Sequence, residues 1–222
     1  EQRVLLADGT TVDLGPHWNH YALWPERGGV GLTRSGLRKP LAAGYQRTRN
    51  ERYALAFTDM VRTQIARYPS PIRAGVYGPE ETIPAALPHG IAGGSFWSGL
   101  AIGARMGHGF HYYAAFAGSP YFSRDVRAAF IINLGEMAEV LEHMRGGGNW
   151  ETQMSVGLFE FGLAYPEFVR AREWVKQGFE TVVDNALSTV RPDGCLQEPT
   201  IGYHMMCMRR YCSASACGSS RV

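Results

Sequence analysis

Two short stretches of this chain hold side chains able to do chemistry together. In Gly146-Gly147-Gly148-Asn149-Trp150-Glu151-Thr152-Gln153, the amide of Asn149 stands where three glycines give way to a helical pattern. Backbone N–H groups point outward at a helix entrance, so an amide there joins a set of donors suited to an anionic group. In Asp193-Gly194-Cys195-Leu196-Gln197-Glu198-Pro199 and on to Tyr203-His204, a phenol and an imidazole open the next helix. A tyrosine near its reference pKa of about 10 can donate a proton at neutral pH, and it can act as a base where cations lower that value. Asn149 and Tyr203 read as two parts of one site. Each also has a plain reading, Asn149 as a helix N-cap and Tyr203 as a packing residue.

The elements that must position them are helices. Tyr53, Phe57, Met60, Val61, Ile65 and Tyr68 form one apolar stripe, and Pro69 with Pro71 stops it. A shorter helix over about 35–47 precedes it, making a helical hairpin. A Pro- and Gly-rich loop from Ser70 to Gly94 follows, and Ser95 is placed to cap a helix through Trp97, Leu100, Ile102 and Met106. Ser123 opens a helix whose inner face holds Val126, Phe130, Leu134, Met137 and Leu141, and the triple glycine breaks it. Helices are then expected over about 150–165, from Pro166 to about Val190, and from about Pro199. The fold class is all-α, built of paired amphipathic helices. Residues 1–32 read as an irregular, aromatic-rich lead-in with a short strand or turn at Val4 to Val12 and a His17-Trp18-Asn19-His20 segment, and 212–222 as an irregular tail.

Composition narrows the classes. The formal charge of +2 and dispersed arginines give no case for nucleic acid. No stretch approaches eighteen consecutive apolar residues, so no membrane span is expected. Cys195, Cys207, Cys212 and Cys217 include no C-x-x-C pair and read as small buried thiols, with one late disulfide open if the protein is exported. No nucleotide-binding glycine loop, zinc-ligand pattern or nucleophile elbow occurs, so neither a cofactor nor a metal is evident. The start at Glu1 without a leader has the look of a mature or trimmed fragment.

Gly148-Asn149-Trp150 followed by Gln153, Gly157-Leu158, Tyr165-Pro166-Glu167 and Trp174 resembles the heparinase II/III-type polysaccharide lyases, in their helical N-terminal domain. Asp193-Gly194, Glu198 and Tyr203-His204 continue the resemblance, and looser similarity runs back through Phe96-Trp97 and Arg105. It implies an incomplete α/α toroid over 1–211, with the β-sandwich region that follows in that family not supplied by the residues after Tyr203. That leaves open whether this stretch acts alone.

The resemblance implies an acidic polysaccharide substrate, a glycosaminoglycan or alginate-like polymer, cleaved by β-elimination in the periplasm or outside the cell. Removing the C5 proton beside a carboxylate requires that the carboxylate charge be blunted first. By resemblance Asn149 does this, and Tyr203 is the general acid and, for some stereochemistries, also the base. His204 is a further candidate base. Trp150, Gln153, Trp97, Arg105 and His111 are candidate substrate contacts, each with a packing alternative. Asp193 and Glu198 read better as turn and cap residues. A glycoside hydrolase would need two facing carboxylates, and Glu151 with Glu198 makes no convincing pair. A non-catalytic glycan-binding fragment is the other alternative, and exposed apolar helical faces would favour self-association.

Overall fold

The computed structural model describes residues 3–5, 11–13, 38–78, 81–84, 94–198 and 200–219. Strands β1 (Arg3–Leu5) and β2 (Thr11–Asp13) pair antiparallel, in the stretch where a short strand or turn is expected. The rest of the lead-in, including His17 to His20, lies outside the described residues.

The first hairpin joins α1 (Arg38–Thr48) to α2 (Glu51–Arg67). Asn50 is its hinge: its side-chain oxygen accepts from the Arg52 N–H at 3.0 Å, satisfying one donor that a helix start leaves unpaired. The α2 stripe buries Phe57, Met60 and Val61. Phe57 stacks on Phe116 with ring centroids 4.3 Å apart and meets Phe122 and Phe130 edge-on. Burying such a ring contributes about 1.5–3 kcal/mol. Across the same hairpin, the buried Arg38 guanidinium donates to Gln64.

After β3 (Ile83–Pro84) and a 3₁₀ turn at Gly94–Trp97 come α3 (Gly99–Met106), α4 (Gly109–Phe116) and α5 (Arg124–His143). Strand β4 (Met144–Arg145) pairs parallel with β3, and then α6 (Gly148–Ala164), α7 (Ala171–Thr189) and α8 (Ile201–Ser219) complete the order. Helices paired in this way form an incomplete α/α toroid. α6 lies at its centre, packed by α7 along its length and crossed by α3. The α3 crossing needs glycine at both contact points. A Cβ on Gly103 would meet the Gln153 carbonyl at 2.5 Å, and one on Gly157 would meet the Gly103 Cα at 2.9 Å.

The structure departs from the sequence expectation at four places. Ser98, not Ser95, precedes α3, because residues 94–97 wind as 3₁₀ first. The segment after His108 is helical from Gly109 to Phe116, since Tyr112 and Phe116 drive into the Phe57 cluster. α7 starts at Ala171 rather than Pro166; the intervening chain is a pair of turns closed by Phe168 N–H to Tyr165 and Ala171 N–H to Phe168. α8 continues to Ser219 where an irregular tail is expected, because Tyr211 and Ala214 pack against Val156, Phe159 and Val182. Among the cysteines, Cys207 is buried, but Cys195 and Cys212 are exposed free thiols. Among the described residues, no helix is long and apolar enough to cross a membrane.

Candidate active site

α6 opens with an unusual turn. Gly147 occupies the cap position with extended backbone, and Gly148 follows at φ +55°, a left-handed conformation that only glycine adopts without strain. The cap reading of Asn149 is therefore corrected: it lies inside the first turn, and its side chain is free to point elsewhere. It is buried, and its Nδ2 donates to both carboxylate oxygens of Glu198, at 2.8 and 2.6 Å. Glu198 is corrected with it, from a turn residue to the partner that holds this amide. Asp193 does close its turn, accepting from the Cys195 N–H at 2.9 Å.

Glu198 comes five residues before Tyr203 in sequence, so its bond to Asn149 ties the entrance of α8 to the entrance of α6. Tyr203 sits in the first turn of α8 and is 47% exposed, which leaves its phenol open to solvent. The neighbouring His204 accepts at Nδ1 from the Leu196 N–H at 3.3 Å. That bond puts the proton of a neutral ring on Nε2 and fixes the ring to the turn before α8.

Gln153 is one helical turn below Asn149 on the same face of α6. Its side chain is 7% exposed, and its Nε2 has no hydrogen-bond partner among the described residues. Buried amide donors are nearly always paired, so this one has an unmet demand. Trp150 is half-buried and packs on the core edge. Trp97 and Arg105 are core residues, which removes the substrate contact expected of them. Trp97 is fully buried with its indole N–H on the Tyr68 carbonyl, and Arg105 donates to the Phe96 carbonyl at 2.6 Å while lying over the Phe96 ring. His111 is exposed on α4, against Phe110 and with its ring centroid 6.3 Å from that of His108.

Further along the same face of α6, Glu160 meets Arg210 of α8 at 3.5 Å. Burial raises the Glu160 pKa, with Arg210 opposing. His108 stands at this corner with its pKa lowered, first by burial and then by Lys39, while its bond to the Gly107 carbonyl opposes and Arg210 and His111 add to the lowering.

Sequence reasoning also missed a buried polar knot beneath Gly148. Asn185 of α7 donates through Nδ2 to the Gly148 carbonyl at 2.9 Å and to Thr152 Oγ1 at 2.6 Å, and it reaches the Tyr211 hydroxyl at 3.2 Å. The only sequence signal was a set of isolated polar residues on otherwise packed helix faces. A cavity of about 730 Å³ lies against the same glycine turn, bordered by Glu151, Ser155, Thr181, Asp184 and Ser188; Asn149 and Tyr203 do not line it. Glu151 accepts from the Gly146 N–H at 2.7 Å, so its carboxylate caps the turn rather than facing Glu198's.

The family model described as Heparinase II/III N-terminus matches residues 7–220. A heparin-sulfate lyase from Bacteroides thetaiotaomicron is 23% identical over 168 residues, covering 75% of this chain and 22% of that protein. The crystal structure of heparan sulfate lyase HepC from Pedobacter heparinus superposes with a TM-score of 0.73 at 20% identity, over 97% of this chain and 32% of that one. A crystal structure of heparinase III gives 0.68 at 22% identity, over 81% and 25%. The chain thus spans less than a third of the length of these relatives.

Proposed function

This chain belongs to the heparinase II/III family, matching its N-terminal region along nearly the whole sequence, and on that premise we propose that it forms the helical part of a polysaccharide lyase acting by β-elimination. The substrate in this reading is a uronic-acid-containing polymer of the glycosaminoglycan type, met in the periplasm or outside the cell. One observation carries the reading: at the entrance of α6, two buried amides share a face, Asn149 anchored on Glu198 and Gln153 with its Nε2 unpartnered among the described residues.

A uronate carboxylate seated there supplies the acceptor that Gln153 lacks. The Asn149 nitrogen has two hydrogens, and its bidentate approach to Glu198 is consistent with a shared hydrogen, which leaves the second for the substrate. Two neutral donors at a positive helix end reduce the carboxylate charge and stabilise the enolate that forms when the C5 proton leaves. Where the C5 proton and O4 lie on the same face of the sugar, Tyr203 as phenolate removes the C5 proton and then, as the phenol so formed, returns it to the departing O4 oxygen. The fixed ring of His204, with its proton on Nε2, serves as an orienting neighbour rather than as the base.

The test is to incubate a protein containing this chain, at the full length of its relatives, with heparan sulfate, heparin and alginate. Ultraviolet absorbance of the new C4–C5 double bond on heparan sulfate or heparin supports the reading, and on alginate alone it shifts the substrate class. Tight oligosaccharide binding with no unsaturated product on any polymer would overturn it in favour of a glycan-binding module.

A further inference from the structure

The knot beneath Gly148 brings together polar groups from three helices in a place where burial makes each unpaired group costly. Thr152 is fully buried on α6, Asn185 is 8% exposed on α7, and the Tyr211 hydroxyl enters from α8. Thr152 Oγ1 and the Tyr211 hydroxyl lie 3.0 Å apart, and Thr189 Oγ1 of α7 is 3.2 Å from that hydroxyl. Thr189 in turn donates to the Asn185 carbonyl at 2.6 Å, and Thr152 to the Gly148 carbonyl at 3.2 Å. The buried Cys207 thiol borders the group. Burial raises its pKa and the Glu198 charge adds to the rise, while the nearby Thr152 and Tyr211 hydroxyls oppose it.

What these bonds grip is specific. The Gly148 carbonyl belongs to the left-handed residue immediately before Asn149, so the orientation of that peptide sets the direction in which Asn149 leaves the backbone. Tyr211 lies two turns along α8 from Tyr203, at about 12 Å by helical rise. A hydroxyl held by Thr152, Asn185 and Thr189 fixes both the rotation of α8 and its height against α6.

We infer that Asn185, Thr152 and Tyr211 are positioning residues which set the Asn149 amide against the Tyr203 phenol, the knot acting from below while the Asn149–Glu198 bond closes the entrance above. The inference rests on the proposed function for its catalytic consequence, but its structural content stands apart from that reading. Helix packing alone does not demand these hydroxyls; an isosteric apolar side chain fills the same space. Removing one hydroxyl therefore releases orientation more than fold, and a small misplacement of reacting groups costs about a hundredfold in rate.

The experiment compares Thr152→Val, Thr152→Ser and Tyr211→Phe. In this chain, the side-chain amide signal of Asn149 is followed by ¹⁵N NMR, assigned by its loss in Asn149→Ala. It is expected to be sharp in the unmodified chain and in Thr152→Ser, and to shift or broaden in Thr152→Val and Tyr211→Phe. In the full-length protein, kcat for elimination falls about tenfold to a hundredfold in Val and Phe with KM nearly unchanged, while Ser retains it. An Asn149 signal that Thr152→Val and Tyr211→Phe leave untouched, in folded chains, overturns the inference. Unsaturated product absent from the unmodified protein overturns the proposed function instead, and the NMR comparison still decides the positioning role.

Discussion

The side-chain nitrogen of Asn149 sits between the two carboxylate oxygens of Glu198, at 2.8 and 2.6 Å, and this pair links the start of α6 to the turn that leads into α8. A charge-assisted bond of this kind contributes about 1.5–3 kcal/mol. Glu198 is only partly buried, so solvent screening puts Glu198→Ala toward the low end, at a loss of about 1–2 kcal/mol. Glu198→Gln, which keeps an acceptor oxygen, is expected to lose less. Urea unfolding of the two variants checks this ordering, and equal losses would contradict the contact.

The glycine turn makes a sharper comparison. Gly148→Ala forces a side chain into the left-handed region at φ +55°, costing about 1–2 kcal/mol. The added methyl itself meets nothing closer than Glu198 at 3.7 Å, so the cost is backbone strain and not a clash. Gly147→Ala, at an extended position with open space around it, is expected to be nearly neutral. Thermal unfolding of the pair separates strain from any general sensitivity of the loop.

Across α5 and α7, Glu142 accepts the Trp174 indole N–H at 2.9 Å and pairs with Arg170. Glu142→Ala leaves the buried indole donor unsatisfied, which costs about 1–3 kcal/mol. Half-exposed Arg170 adds little, because water solvates it once freed. Trp174 fluorescence during denaturation reports the loss, and an unchanged midpoint would mean the indole finds another acceptor.

Acid sensitivity follows from His108. Burial and the nearby Lys39, Arg210 and His111 lower its pKa below the ordinary 6.5, with the Gly107 carbonyl opposing. The folded ring therefore binds a proton less readily than the unfolded one, so its contribution is favourable above 6.5 and is lost as pH falls from there through the folded value. Glu160, raised by burial against Arg210, has the opposite sign and gains stability as pH falls through its raised value toward 4.5. Relative to the unmodified chain, His108→Asn should become progressively more stable as pH drops below 6.5. A stability difference constant with pH would contradict the assignment.

Much of the architecture was legible in the sequence because apolar spacing alone dictates helices that bury one face. Phe57, Met60 and Val61 went where their stripe required. What the sequence hid were features set by tertiary contact. The α4 segment around Tyr112 is too short and too aromatic to show a helical period, and α8 past Tyr211 is held by packing that composition cannot reveal. At the site, the ordered motif identified Asn149 and Tyr203 as candidates, but Glu198 lay in a turn-like stretch and its partner was 49 residues away. Arg105 and Trp97 look like ligand-binding side chains in sequence, and only their burial on Phe96 and Tyr68 assigns them to the core.

The most direct measurement is elimination by the full-length protein carrying Tyr203→Phe or Asn149→Ala, read as ultraviolet absorbance of unsaturated uronate from heparan sulfate. Each replacement is expected to abolish product formation while circular dichroism keeps the helical signature of the unmodified protein; Tyr203→Phe unfolds close to it, and Asn149→Ala loses about 1–2 kcal/mol with its bond to Glu198. Undiminished product from either folded variant would contradict the assignment of the chemistry to the entrances of α6 and α8.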